Sequence, residues 1–236
     1  MADKVKGVVD IVFLMDATGS MQNCIDRLKE NLNVFIGTLT TKDANNSCPV
    51  KDWRAKVVGY RDFEVDGSDW YEDNPFTHDA EELKRQLAKL VATGGGDDPE
   101  SLLDAIYKLA NMGQIGKQDT EDPAKWRYRS SAARVVIVFT DAPFTEKIAI
   151  PEAAGGGITD IINQVNSNRL ILSIFAPPRP CYDELAKADK SEYEQTVDDA
   201  GNEVSLDVYT ADQKKFQTTL KQLAASVSKS AAAEVL

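Results

Sequence analysis

Residues 8–16 read Val-Val-Asp-Ile-Val-Phe-Leu-Met-Asp, a nearly unbroken apolar run that ends in a carboxylate. A strand with one wet face alternates apolar and polar residues, whereas a strand covered on both faces reads as a continuous run of this kind. Val8 to Met15 is therefore expected to be a buried strand with helices on either side. Met21, Ile25, Leu28, Leu32, Phe35 and Leu39 then recur at intervals of three and four and predict a helix with one apolar stripe. A buried strand that feeds a helix is the opening half of a parallel strand-helix-strand unit.

The same alternation continues along the chain. Arg54 to Tyr60, Val135 to Phe139 and Leu170 to Phe175 read as strands, and Val204 to Tyr209 as a short last one. Helical spacing is expected over Asp79 to Val91, with Asp79 as its N-cap, and after Gly94-Gly95-Gly96-Asp97-Asp98, where Pro99 suits an early helical position and Glu100 complements the helix start. Ile158 to Val165, Cys181 to Ala188 and Phe216 to Val227 supply further helices, and Ser191 to Glu203 reads as an acidic connection. The fold class expected is α/β, an open, doubly wound, mostly parallel sheet with helices on both faces. One domain spans residues 1–236, with a core of about 8–228, loop insertions at 40–53, 62–78 and 111–133, and fraying over 230–236. Asn45-Asn46 and Cys48-Pro49 mark the first of those loops, and Gly155-Gly156-Gly157 reads as a turn.

With 27 Lys and Arg against 38 Asp and Glu, the net charge is −11. Neither a basic block nor a basic helix face interrupts the acidity, which argues against broad nucleic-acid binding and favours a cation or cationic partner. Apolar runs too short to span a bilayer predict no membrane insertion, and Met1 to Lys6 lacks the apolar centre of a secretion signal, so a soluble, cytoplasmic chain is expected. Cys24, Cys48 and Cys181 have no zinc-type spacing and read as reduced thiols.

Asp16, Thr18 and Ser20 alternate at the mouth of the first strand. Three oxygen groups at a strand-to-helix turn suit a hard cation such as Mg2+, although the same residues would equally cap a helix. Asp16-Ala17-Thr18-Gly19-Ser20, Gly94-Gly95-Gly96-Asp97-Asp98-Pro99-Glu100 and Val136-Ile137-Val138-Phe139-Thr140-Asp141 together resemble the von Willebrand factor A-like family, whose members carry a metal-ion-dependent adhesion site. The glycine-rich segment and Phe139-Thr140-Asp141-Ala142 look closer to the A-like domains of hemicentins and of some alpha-kinases than to integrin inserted domains.

The resemblance implies a Rossmann-like sheet and a noncatalytic protein-binding or adhesion module holding one divalent cation, Mg2+ first, with Mn2+ or Ca2+ open. Thr18 and Ser20 are implied as hydroxyl ligands, and Asp16 and Asp141 as ligands or holders of metal-bound water. Asp97 falls where many members use threonine, with Asp98 its neighbouring alternative. An aspartate there would add a negative charge, tightening cation retention and weakening capture of an acidic partner. The implied partner is a protein that offers an oxygen ligand, such as an Asp or Glu carboxylate.

Other residues have competing readings. Asp62 either orients the metal loop or pairs with Arg61 or another surface base, and Trp53, Trp70, Tyr71 and Phe76 either line a recognition face or close the core beneath a loop. A purely structural metal and a Mg2+-dependent phosphate-ester hydrolase are the alternative functions. The hydrolase pattern would need a second aspartate where Thr18 stands. His78, the single histidine, lies in a polar Thr-His-Asp run suited to the surface or a helix cap, and no Gly-x-Ser-x-Gly turn or Gly-Lys-Ser/Thr phosphate loop is present.

Overall fold

Val8–Asp16 forms β1, buried at every position, and its side chains divide between two cores by the period of two that a strand imposes. Val9, Ile11, Phe13 and Met15 enter one core, and Val12 and Leu14 the other. The computed structural model describes residues 7–42, 48–96 and 98–232, so Asp97, Asn45 and Asn46 lie outside the described residues.

The remaining strands are β2 (Asp52–Tyr60), β3 (Tyr71–Asp73), β4 (Ala133–Phe139), β5 (Leu170–Ala176) and β6 (Glu192–Gln195). They form one six-stranded sheet in the order β3-β2-β1-β4-β5-β6. Every pairing is parallel except β3 against β2. Helices cover both faces, giving the mostly parallel, Rossmann-like architecture expected.

On one face, α1 (Gln22–Leu39) buries Ile25, Leu28, Leu32, Phe35 and Leu39 against the sheet beside α3 (Ala80–Lys89) and α8 (Gln213–Ala232). On the other face lie α4 (Leu102–Ala110), α5 (Ile158–Ser167) and α6 (Pro180–Leu185). The chain leaves β1 toward β2 on one side and meets β4 on the other, so the order reverses at β1. Such a reversal opens a crevice at the carboxyl ends of the strands, where open α/β sheets place their ligands. Asp16 is the last residue of β1 and therefore stands at the crevice.

The sequence reading misplaces two local features. Val204–Tyr209 is not a strand: Ser205 accepts the Val208 N–H and starts α7 (Leu206–Ala211), whose Leu206, Tyr209 and Thr210 are buried at helical spacing. The last strand is instead β6, inside the expected acidic connection, where an exposed edge needs no apolar pattern. Nor does a helix begin at Pro99. Glu100 is extended, donating its N–H to Pro143 and accepting from Thr145, and α4 starts only after Ser101. The 62–78 excursion holds α2 (Phe63–Asp66), a 3-10 turn over Gly67–Trp70, and β3.

Candidate metal centre

Asp16 is fully buried and held at both oxygens. Thr18 donates to its Oδ1 twice, from the backbone N–H at 2.9 Å and the hydroxyl at 2.7 Å, and Thr140 at the end of β4 donates to Oδ2 at 2.9 Å. Burial nevertheless outweighs these bonds and lifts the Asp16 carboxyl to about 6, with Asp141 adding repulsion. Asp141 is also raised, first by burial, while the Ser20 hydroxyl favours its anion. The strand ends thus bring Asp16, Thr18, Ser20 and Asp141 to one place.

Glu100 joins them, a residue that the sequence reading assigned only to a helix start. It is 3% exposed, and burial followed by the charges of Asp16, Asp62, Asp98 and Asp66 pushes its carboxyl up to about 8. Gly95 explains how it reaches the site. With φ at +88°, this glycine lies so close to the β1 loop that a Cβ would stand 2.4 Å from Thr18 Cγ2 and 2.8 Å from Glu100 Oε1. Asp66 accepts the Gly95 N–H at 3.0 Å and fixes the loop from its other side.

Asp62 accepts the N–H groups of Glu64 and Val65, so it caps α2. It does not pair with Arg61, whose guanidinium donates instead to the carbonyls of Ala17, Thr93, Asp69 and Val91. Arg61 thereby ties the loop after β1 to the loop that leads to Gly95. Asp98 is exposed at the rim, and its charge acts on both Glu100 and Asp141.

Trp70 and Phe76 are in the core. Trp70 packs edge-on against Phe63, and Phe76 lies against Trp126 beneath Arg54 and Lys56. Tyr71 is half-buried and faces a separate cleft with Lys108. The readings of Trp70 and Phe76 as recognition residues are therefore replaced by their packing role. The large apolar side chains exposed among the described residues are Val65, Val91 and Val208. Val65 lies beside Gly96, and Val91 supplies a carbonyl to Arg61, so both flank the site. Val65 sits in the single-turn α2 and Val91 just beyond α3, where a lone valine carries no periodic sign of which way it faces.

His78 bonds Glu121 at 2.9 Å and lies 3.4 Å from Asp52 at the opposite end of β2, so it is no base for Ser20. Cys24 is buried, and all three cysteines are free.

A family model described as von Willebrand factor A domain matches residues 10–114, which run from within β1 past Glu100. The chain is also similar to the alpha-protein kinase vwkA of Dictyostelium discoideum, at 29% identity over 167 residues covering 66% of this chain. Both matches point to the same kind of domain over parts of the chain. That relative is much longer, and the match covers 24% of its length.

Among the described residues, no three His, Cys, Asp or Glu side chains form a metal-ligating group. The donor set at the crevice is of another kind, two carboxylates mixed with the hydroxyls of Thr18 and Ser20. Its chemistry fits a hard cation. Among the buried side-chain atoms without hydrogen-bond partners, Asp141 Oδ1, Glu100 Oε2 and the hydroxyl of Tyr60, the residue paired with Asp16 in the sheet register, belong to this end of the sheet. Acceptors left bare beside raised carboxyls leave a deficit that a cation would neutralise.

Proposed function

We propose that this domain is a noncatalytic protein-binding module in which a divalent cation, Mg2+ in the first place and Mn2+ or Ca2+ by the same oxygen chemistry, joins its crevice to an oxygen donor of a partner. The observation that carries this reading is the mixed set of Asp16, Thr18, Ser20 and Asp141 at the switch point of the sheet, with the raised carboxyl of Glu100 beside Asp16 and unpartnered buried oxygens on Asp141 and Glu100. Asp16, Thr18, Ser20 and Asp141 would hold the cation, with Asp97 and Asp98 just ahead of Glu100 in sequence as the further candidates. A bound cation supplies a Lewis-acidic position for the partner's oxygen. Thr18 and Thr140 keep Asp16 oriented, Arg61 and Gly95 hold the two loops together, and Val65 and Val91 offer apolar contact around the rim.

The surplus of carboxylates favours a second reading, a metal whose role is structural. Glu100 adds a further carboxyl beside Asp16, protonated near neutral pH in the metal-free domain and ionised once a cation favours its anion, so a weakly acidic or neutral oxygen ligand is better matched than a strongly acidic one. A hydrolase has less support, because Thr18 spends its hydroxyl on Asp16 and offers no carboxyl for acid-base work.

Two measurements test the proposal. Calorimetric titration with Mg2+ should show saturable binding that Asp141→Ala removes. A displayed peptide library captured in Mg2+ and eluted with chelator should then yield sequences dependent on one oxygen-bearing side chain. Capture that survives chelation would refute the metal bridge, and Mg2+ binding without any chelator-sensitive peptide would leave the structural role.

A further inference from the structure

At the opposite edge of the sheet, where β4 and β5 begin, a cleft of about 320 Å³ gathers Arg129, Arg134, Arg169 and Lys190 around Asn166 and the single acid Asp189. These side chains come from three separate stretches: the loop before β4 together with the start of β4, the junction of α5 with β5, and the turn after α6. In a chain with a net charge of −11, such a concentration of positive charge is against the trend. Most other basic side chains in the described residues stand beside carboxylates, as Arg54 does with Asp10 and Lys215 with Asp199. None of the four cations at the cleft forms a salt bridge among the described residues.

Arg134 is the fixed member. It is 3% exposed, and its guanidinium donates to the Arg127 carbonyl through Nε at 3.2 Å and Nη2 at 2.7 Å, to Asn168 O through Nη1 at 3.1 Å, and to Gln114 Oε1. All these acceptors are neutral, so the buried charge is held rigidly with no carboxylate bonded to it. Four of the five N–H groups of an arginine are used in this way, which leaves one on Nη1. Burial, with repulsion from Arg129, Arg169 and Arg54, lowers its pKa to about 10, while Asp10, the opposing charge, is already bonded to Arg54 in both carboxylate oxygens.

Arg169 and Lys190 are exposed, and they are the non-glycine residues with positive φ among the described residues, at 55° and 60°. A residue with a Cβ seldom adopts that conformation, and two lysine or arginine side chains adopting it at one cleft mark a defined arrangement of the rim. Asn166 accepts the Asp189 N–H at 2.9 Å and ties the turn carrying Lys190 to α5.

We infer that this cleft binds a phosphomonoester dianion, with Arg134 at its floor and Arg129, Arg169 and Lys190 at its mouth. Four cations against one carboxylate leave three positive charges, a balance that suits a group with two negative charges and several acceptor oxygens better than a lone carboxylate. Ala132, Ala133, Leu170 and Ile171 line the remainder and would accommodate the apolar carbon attached to the phosphate. The site is independent of the crevice at the carboxyl ends of the strands.

The test uses the whole chain and three probes: inorganic phosphate, a short peptide with one phosphoserine, and the same peptide unphosphorylated. Binding is followed by the Arg134 Nε–H resonance and by calorimetry. Saturable binding of phosphate and phosphopeptide, weakening with added salt, is expected, with no shift from the unphosphorylated peptide. Equal affinity for the two phosphates would identify a free phosphate ester as ligand, and a tighter phosphopeptide would identify a phosphorylated side chain. The double variant Arg169→Asn, Lys190→Asn should weaken binding at least about tenfold, since charged hydrogen bonds are lost. Both residues are exposed and asparagine tolerates positive φ, so its thermal midpoint should match the parent's. Absence of saturation by either phosphate, or affinity unchanged in the double variant, would overturn the inference.

Discussion

Glu100→Gln is expected to stabilise the metal-free domain at alkaline pH and to leave it nearly unchanged in acid. The carboxyl moves from 4.5 to about 8 on folding, chiefly through burial and then through the charges of Asp16, Asp62, Asp98 and Asp66. Between those two values the folded protein retains a proton that the unfolded chain has released. Stability is therefore fully present below the unfolded pKa and is lost as the pH rises toward the folded one. At 1.4 kcal/mol per pKa unit, the loss from this carboxyl alone approaches about 4 kcal/mol at pH 8. Asp16, itself raised to about 6, titrates against Glu100, so the two share that penalty and a net gain of about 2–4 kcal/mol is expected from the neutral amide. Urea unfolding in the presence of a chelator, repeated across that pH range, measures it. Saturating Mg2+ should shrink the difference by selectively stabilising the parent. Equal stability of parent and variant at pH 8, or a variant weakened equally at every pH, would refute the electrostatic account of the site.

Three other substitutions test how the site is supported. Gly95→Ala forces a Cβ to within 2.4 Å of Thr18 Cγ2 at a φ of +88°, and should weaken Mg2+ binding about tenfold or more in calorimetric titration. Arg61→Met strips donors from the carbonyls of Ala17, Thr93, Asp69 and Val91, for an expected cost of about 3 kcal/mol in denaturant unfolding. Arg54→Met removes the two bonds at 2.8 and 2.9 Å that Asp10 accepts from Arg54 and leaves it buried with that from the Arg127 N–H, which should lower stability by about 3–5 kcal/mol without a direct effect on Mg2+ affinity.

The strands that carry the site were legible because burial on both faces leaves a continuous apolar run. Val8–Asp16, Ala133–Phe139 and Leu170–Ala176 follow that rule, and the period of the first helix is equally plain. β6 was not legible, because Glu192–Gln195 is an edge strand with little buried side chain. The site divides in the same way. Asp16, Thr18 and Ser20 are neighbours in sequence, and Asp141 follows a strand end, so their convergence follows from topology. Glu100 was assigned to a helix because Pro99 and the leucines beyond it suggest one, whereas its backbone pairs with the loop after β4. A long-range backbone contact leaves no periodic trace. Trp70 and Phe76 illustrate the converse, since aromatic residues in a polar excursion have the same composition whether they face a partner or close the core.

The account turns on a cation at the crevice, and anomalous diffraction from crystals grown with Mn2+ tests it most directly. A single strong peak within bonding distance of oxygens from Thr18, Ser20 and at least one of Asp16 and Asp141 is the expected result. No peak there at saturating Mn2+, or a peak bound only by surface carboxylates elsewhere, would contradict it.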